Sequence, residues 1–126
     1  MLRQLSIRAF ALIDEVDLDL GPGLTVLVGE TGAGKSIIID ALSSALGARM
    51  PSDSVRKGAR KCVIEATFDA TGYPAVKRLL KENELDWDAA DLIVRRELTA
   101  SGTSRCFVND TPTTAAVVRD IAAYLM

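Results

Sequence analysis

Residues 24–36 have the sequence LTVLVGETGAGKS, and this stretch decides the fold. Its last part, residues 29–36, matches the pattern G-x-x-x-x-G-K-[ST] at every fixed position, a match expected by chance in roughly 0.5% of chains of 126 residues. The apolar run at residues 24–28 is typical of a strand covered on both faces, and residues 36–46 have the apolar content and length of a helix. A strand, a glycine-rich loop and a helix in this order predict a phosphate-binding loop.

The residue types of the loop suit a nucleotide. Three glycines allow the backbone to wrap closely around a phosphate, and amides from about residue 32 onward would point at it from a helix N-terminus. Lys35 would place its ammonium between the β- and γ-phosphates, and the Ser36 hydroxyl would bind Mg²⁺. A glycine-rich turn with an exposed lysine is the competing interpretation. The predicted phosphate-binding residues are Gly29, Glu30, Thr31, Gly32, Ala33, Gly34, Lys35 and Ser36.

Strand patterns lie on both sides of the loop. Residues 4–9 and 15–20 alternate apolar and polar side chains with a period of two, which predicts a hairpin of half-buried strands. Residues 62–68 predict another strand. Residues 92–98 and 105–109 are strand-like runs separated by a turn, which predicts a second hairpin.

Helix signals complete the chain. Gly47 is placed to end the helix that follows the loop, and residues 74–84 suit a short helix with Pro74 in its first turn. Thr111-Pro112 resembles a cap followed by a first-turn proline, so we expect the last helix to start there. We therefore predict an α/β domain with a mixed sheet, in which an antiparallel portion (residues 1–20 and strands from residues 62–109) packs beside the loop strand and its helix.

Composition excludes several classes of protein. The chain is 48% hydrophobic and 25% charged with a net charge of −2, so it is globular and any contact with nucleic acid needs a local basic patch. Because it has no histidine, Ser-His-Asp and Cys-His mechanisms are excluded. Cys62 and Cys106 are expected to be reduced core thiols. With neither a signal-peptide pattern nor an apolar run of about 20 residues, we expect a cytoplasmic protein without a membrane partner.

Sequence well beyond the loop resembles the SMC-like branch of the ABC ATPases, and within it a family of bacterial DNA repair proteins. The resemblance covers nearly the whole chain. The family usually has Asn where Ala9 stands and Gly where Asp110 stands. The similar segments are SIRAFALI (6–13), GLTVL (23–27), GETGAGKSI (29–37), DAL (40–42), LGAR (46–49), VRKG (55–58) and RCFVN (105–109).

This resemblance implies the fold of a P-loop NTPase, with residues 1–126 forming the N-terminal lobe of an ABC/SMC-type head that stops before the Q-loop and coiled coil. It implies ATP and Mg²⁺ as ligands, a second head of a homodimer that sandwiches ATP, and DNA as a partner of the full-length protein. The implied role is double-strand break repair and recombination at the nucleoid. No catalytic residue can be identified here, so we expect weak ATP binding and negligible hydrolysis by residues 1–126 alone.

Three other groups of charged residues need an interpretation, and two of them have more than one. Arg56 and Lys57, in the basic segment at residues 49–61, could contact DNA or an opposing head, or could belong to a solvated loop. Asp40 is interpreted as a helix-surface residue or one lying behind the nucleotide site. Glu65 is interpreted as the solvent side of a half-buried strand.

Two other functions compete with the repair protein. A small P-loop kinase would need a substrate lid and base-reading residues that the sequence does not show. An ATP-binding subunit of an ABC transporter usually has a different phosphate-loop sequence and would need a membrane partner. Heptads over hundreds of residues beyond this chain would favour the repair protein over both.

Overall fold

The computed structural model describes residues 2–19, 32–85 and 91–125. The strands are β1 (Leu2–Phe10), β2 (Ile13–Asp19), β3 (Lys61–Asp69), β4 (Asp91–Thr99), β5 (Ser104–Val108) and β6 (Thr111–Thr113). The helices are α1 (Gly32–Ala45), α2 (Pro74–Glu82) and α3 (Ala115–Leu125), with a short 3₁₀ helix at Ser52–Ser54. None of the helices in this described part is long and apolar enough to cross a membrane.

The described strands form one sheet in the order β2-β1-β3-β4-β5-β6, and every neighbouring pair is antiparallel. Both predicted hairpins are confirmed: β1 pairs with β2, and β4 pairs with β5. The predicted strand at residues 24–28 lies outside the described residues. The antiparallel portion of the predicted α/β fold is therefore present, and the mixed sheet stays a prediction.

The two faces of the sheet differ in what covers them. One face packs against the helices, which contribute Ala41, Ala45, Val76, Leu80, Val118, Ile121 and Leu125 to the core. Along β3 and β4 buried residues alternate with half-buried ones, as the period-two pattern predicts. We call the helix-covered side the core face and the other side the outer face. The buried residues of the core face on β3, β4 and β5 are Cys62, Ile64, Ala66, Phe68, Leu92, Val94, Arg96, Leu98, Cys106 and Val108.

The start of the last helix differs from the prediction. Thr111 and Pro112 lie in β6, and α3 begins at Ala115. The cap is Thr114, whose Oγ1 accepts a hydrogen bond from the Val117 amide at 3.2 Å. The prediction was wrong because Pro112 occupies the edge strand of the sheet, where a missing N–H is tolerated.

A tight turn produces this extra strand. Asn109 and Asp110 connect β5 to β6 and have φ values of 48° and 67°, the pair of positive angles that a type I′ turn requires. Ala9, near the end of β1, also has a positive φ of 55°. Both departures from the resembled family therefore fall on left-handed positions, where the Asn and Gly usual in that family are the favoured residues.

The cysteines are free and buried, which confirms the prediction of two reduced core thiols. Both side chains lie on the core face, where burial raises the pKa of the Cys62 and Cys106 thiols above the ordinary value. The thiols are therefore neutral at physiological pH and act as small apolar core residues.

Candidate functional site

The predicted phosphate loop meets a helix where the sequence places it. Helix α1 begins at Gly32, inside the motif, so the backbone of residues 32–36 forms its first turn. Residues 29–31 and the side chains of residues 32–36 lie outside what the structure describes. The phosphate-binding roles of Gly29, Glu30, Thr31, Gly32, Ala33, Gly34, Lys35 and Ser36, and the Mg²⁺ role of Ser36, therefore stay predictions.

Small residues allow α1 to lie close to the sheet. Ala41 and Ala45 are buried against the core face, where α1 packs across β1, β3 and β4. Ile37 and Ile38, near the start of the helix, are half-buried and pack against the same core. The helix that carries the loop is thus supported along most of its length by the sheet.

The C-terminal end of α1 is closed by backbone hydrogen bonds. The Ala48 amide donates to the Ser43 carbonyl at 3.1 Å and the Gly47 amide donates to the Ser44 carbonyl at 3.2 Å, the pattern of a Schellman cap. Gly47 has a φ of 101°, as this motif requires, which confirms its predicted capping role. A Cβ at this position would lie 2.5 Å from Arg119 Cγ and 2.8 Å from the Ala115 carbonyl oxygen, so α3 passes directly against the cap.

Two arginines bind the carbonyls of this cap. Arg96 of β4 donates from Nη1 to the carbonyls of Ser44 at 2.9 Å and Ala48 at 2.8 Å. Arg119 of α3 donates from Nη1 to the Gly47 carbonyl at 2.8 Å. Cations at this end of a helix stabilise it, because the aligned peptide dipoles concentrate negative partial charge there.

A cleft of about 460 Å³ opens between α1 and the segment that follows it. Its lining includes Phe10, Ile37, Asp40, Arg49 and Asp53. Asp40 is exposed on the helix surface, as its first interpretation predicts. The cleft begins at Ile37, directly after the phosphate-loop motif, so it borders the part of the chain that would bind a nucleotide.

The basic segment is docked against the first hairpin rather than extended into solvent. The Ala11 amide donates to the Ser54 carbonyl and the Arg56 amide donates to the Ala9 carbonyl, both at 2.7 Å. Arg56 Nη1 donates to the Leu12 carbonyl at 2.6 Å, so this guanidinium holds the hairpin turn. Lys57 is exposed, and within the described residues it forms no ion pair.

Arg96 and Arg119 were not predicted from the sequence as part of the site. The sequence did contain a hint for Arg96. Every second residue of β4 faces the core, and the other residues in that alternating set are the apolar Leu92, Val94 and Leu98. A charged residue in that set indicates a buried cation with a specific partner. No comparable signal marks Arg119, which lies on the exposed side of α3.

Comparison with known proteins gives the family. The sequence model of the AAA domain family matches residues 4–110. The DNA repair protein RecN of Xylella fastidiosa is 43% identical over 126 residues, which are all of this chain and 22% of that protein. RecN of Bacillus subtilis is 42% identical over 126 residues, again all of this chain and 22% of the relative. The chain thus spans about a fifth of the length of the curated relatives it matches.

Solved structures share the fold. A structure from work on ATP-driven dimerization and DNA-stimulated activation of SMC ATPases superposes with a TM-score of 0.74 at 23% identity, covering 99% of this chain and 79% of that one. An SMC head bound to the C-terminal winged-helix domain of ScpA gives 0.69 at 20% identity, covering 99% of this chain and 40% of that one. The family-model match and these superpositions confirm the predicted P-loop NTPase fold of the SMC-head type. The chain therefore belongs to the AAA domain family, and along its whole length it is similar to the N-terminal part of RecN.

Proposed function

We propose that this chain is the ATP-binding part of an SMC-like DNA repair protein that acts in double-strand break repair and recombination. The observation that carries the proposal is the start of α1 inside the G-E-T-G-A-G-K-S motif, in a chain with an SMC-head fold. Similarity to RecN over the whole chain supports the same biological role.

The chain's own groups would bind the phosphates electrostatically. Free N–H groups in the first turn of α1 and the Lys35 ammonium would bind the β- and γ-phosphates, and Ser36 would hold the metal. Mg²⁺, when bound, neutralises phosphate charge and fixes the orientation of the triphosphate. Arg96 and Arg119 bind carbonyls at the negative, C-terminal end of the α1 dipole. The positive, N-terminal end lies in the phosphate-loop motif, which fits a helix that binds an anion.

Only half of a catalytic site lies in these residues. We propose that a second head of a homodimer covers the nucleotide and that hydrolysis needs groups outside this chain. A structural relative studied for ATP-driven dimerization and DNA-stimulated activation supports this arrangement. The relatives reported above do not favour a small kinase or a transporter subunit.

DNA is the proposed partner of the whole protein, in the cytoplasm and at the nucleoid. Arg56 and Lys57 are the proposed contacts to DNA or to the opposing head. Lys57 is the exposed member of the pair, whereas the Arg56 guanidinium already binds the Leu12 carbonyl. We therefore propose that Lys57 contacts the DNA phosphates directly and that Arg56 supports the segment by holding the hairpin turn.

Calorimetric titration of Mg-ATP into the chain and into Lys35→Ala tests the nucleotide site. We expect saturable weak binding that the substitution abolishes, because the ammonium provides the main side-chain charge of the loop. Lys57→Ala is the matched control and should bind ATP normally. Equal saturable binding by the wild type and Lys35→Ala would contradict a phosphate-loop site, whereas no binding by either would show that the site needs groups outside this chain. Turnover by the pure chain that Lys35→Ala abolishes would overturn the half-site proposal.

The DNA contact is tested in the whole protein by the double substitution Arg56→Glu, Lys57→Glu. Weaker binding to duplex DNA with a shallower salt dependence is expected, because each lost phosphate contact reduces counterion release. The control is Lys77→Glu with Lys81→Glu, which changes the charge equally on the exposed side of α2. Unchanged DNA binding by the Arg56, Lys57 variant would refute the contact.

A further inference from the structure

Arg96 is a buried cation with an unusual set of partners. Its residue is 5% exposed and lies on the core face of β4. Its Nη1 donates to the carbonyls of Ser44 and Ala48, and its Nε donates to Ser104 Oγ at 2.9 Å. Across residues 2–19, 32–85 and 91–125, no carboxylate forms an ion pair with it.

Burying an arginine without a counter-ion is costly, so the protein must gain something specific from its position. Among the described residues, the charge that opposes this guanidinium is the negative end of the α1 dipole, formed by the carbonyls it binds. Simple packing of β4 would be served equally by a leucine or methionine at this point. The position of Arg96 is therefore explained by the helix end that it holds.

A helix held at one end transmits that constraint to the other. Helix α1 has 14 residues and is about 21 Å long, so it behaves as a rigid rod. Arg96 connects the last turn to β4 and, through Ser104, to β5. Rotation or sliding of α1 would break these hydrogen bonds and would move the first turn, which lies in the phosphate-loop motif.

We propose that Arg96 is a positioning residue for the phosphate-binding loop. By fixing the C-terminal end of α1 on the sheet, it sets the position of the helix N-terminus from which the phosphates are bound. Arg119, through the Gly47 carbonyl, supports the same end from α3. The link to nucleotide binding rests on the function proposed above, whereas the mechanical link along α1 does not.

Hydrogen exchange on the chain without nucleotide tests the mechanical link. In Arg96→Met, which keeps the length of the side chain and removes its donors, α1 should separate from the sheet more often. A helix of 14 residues that has left the sheet is only marginally stable and frays, so the amides of residues 37–41 should exchange roughly tenfold faster, in step with residues 46–48. Arg95→Met is the matched control. It removes a neighbouring arginine that pairs with Glu97 and Asp110, away from α1, and it should leave α1 exchange unchanged.

The second readout is ATP affinity, measured by titration at a temperature where every variant is folded. Arg96→Met should weaken binding roughly tenfold, within the usual range for coupling between distant sites, and Arg95→Met should not. Arg96→Lys, which keeps the charge but has a single nitrogen to donate from, should fall between the wild type and Arg96→Met. If Arg96→Met does not fold, Arg96→Lys and Ser104→Ala provide the same comparison with milder changes.

The outcomes separate the two proposals. Faster exchange confined to residues 46–48 would show that Arg96 is only a local cap, and an equal rise in α2 and the sheet would show that it supports the whole fold. Either result overturns the positioning role. If Lys35→Ala binds ATP as well as the wild type does, the nucleotide site fails, while the exchange result still decides the mechanical link.

Discussion

Arg95 and Arg96 are consecutive residues of β4, yet they experience opposite environments. Arg95 lies on the outer face, where it forms ion pairs with Asp110 at 2.7 Å and Glu97 at 3.3 Å. Its guanidinium also stacks 4.4 Å from the centre of the Phe107 ring. Arg96 lies on the core face and binds only neutral oxygen atoms among the described residues. An arginine thus forms ion pairs on the outer face of β4, whereas the next arginine binds the end of α1 on the core face.

The outer face has many such charge pairs, and each contributes little to stability. Arg8 of β1 pairs with Asp17 at 2.9 Å and with Glu15 at 3.3 Å, and Lys61 pairs with Glu97 at 3.7 Å. Hydrogen bonds from Ser6 and then Arg8 lower the pKa of the Asp17 carboxyl. Exposed pairs of this kind are screened by water and salt. We therefore expect both stability and the position of α1 to depend mainly on the core face.

The largest test of this difference compares two phenylalanines. Phe68→Ala on the core face should lower the free energy of unfolding by about 4 kcal/mol, because its fully buried ring would leave a cavity. Phe107→Ala on the outer face should cost about 1 kcal/mol, mainly from lost stacking with Arg95. Urea denaturation of both variants measures the two values. Equal losses would mean that the outer face is a second core.

Gly47 tests how closely the helix layer is packed. Gly47→Ala should cost about 3 kcal/mol, because the new Cβ would overlap Arg119 and the Ala115 carbonyl at a positive φ. Gly102→Ala is the control, since Gly102 also has a positive φ, 99°, but no neighbouring atom within 4 Å of the new Cβ. It should cost about 1 kcal/mol. If thermal and urea unfolding give similar stability losses for the two variants, backbone strain alone explains the cost of Gly47→Ala.

The buried thiols provide a pH test of the core face. Burial raises the pKa of Cys62 and Cys106 in the folded chain, so both thiols contribute fully to stability below the unfolded value of about 9. Above that pH the unfolded chain ionises first, and stability should fall by about 1–2 kcal/mol by pH 10. Comparing unfolding at pH 7.5 and pH 10 with the Cys62→Ala, Cys106→Ala variant isolates this loss. An equal alkaline loss in the variant would assign it to other groups.

The smallest effect concerns the start of α3. Thr114→Ala removes the hydroxyl that accepts the Val117 amide and should cost about 1 kcal/mol. Thr111→Ala, in the edge strand β6, should cost less than about 0.5 kcal/mol. A larger stability loss for Thr111→Ala than for Thr114→Ala in urea denaturation would show that Thr111 is the cap after all.

Local patterns predicted much of the fold and the place of the site. Alternation identified the β1–β2 hairpin and the inward face of β3, because side chains on a strand point to opposite faces in turn. A turn between two strand-like runs identified the β4–β5 hairpin. Gly47 marked a helix end because glycine adopts a positive φ without strain. Pro74 marked a helix start because its fixed φ is helical and its missing N–H has no partner in the first turn. The same reasoning failed at Thr111-Pro112, since a threonine before a proline suits an edge strand as well as a helix start. The positive φ values of Asn109 and Asp110, which return the chain to the sheet, decided between them.

By itself, the sequence determined the strand periodicity, the phosphate-loop motif and the helix that begins within it. These depend on residues close together in the chain, and their chemistry is local. Only the tertiary structure decided that Arg56 would bind the hairpin turn and that Arg96 and Arg119 would meet at the end of α1. Arg96 lies 52 residues from Ser44 and Arg119 lies 72 residues from Gly47. No pattern of neighbouring residues specifies such a pairing; it forms because antiparallel pairing of β3, β4 and β5 and the packing of α3 place those groups side by side.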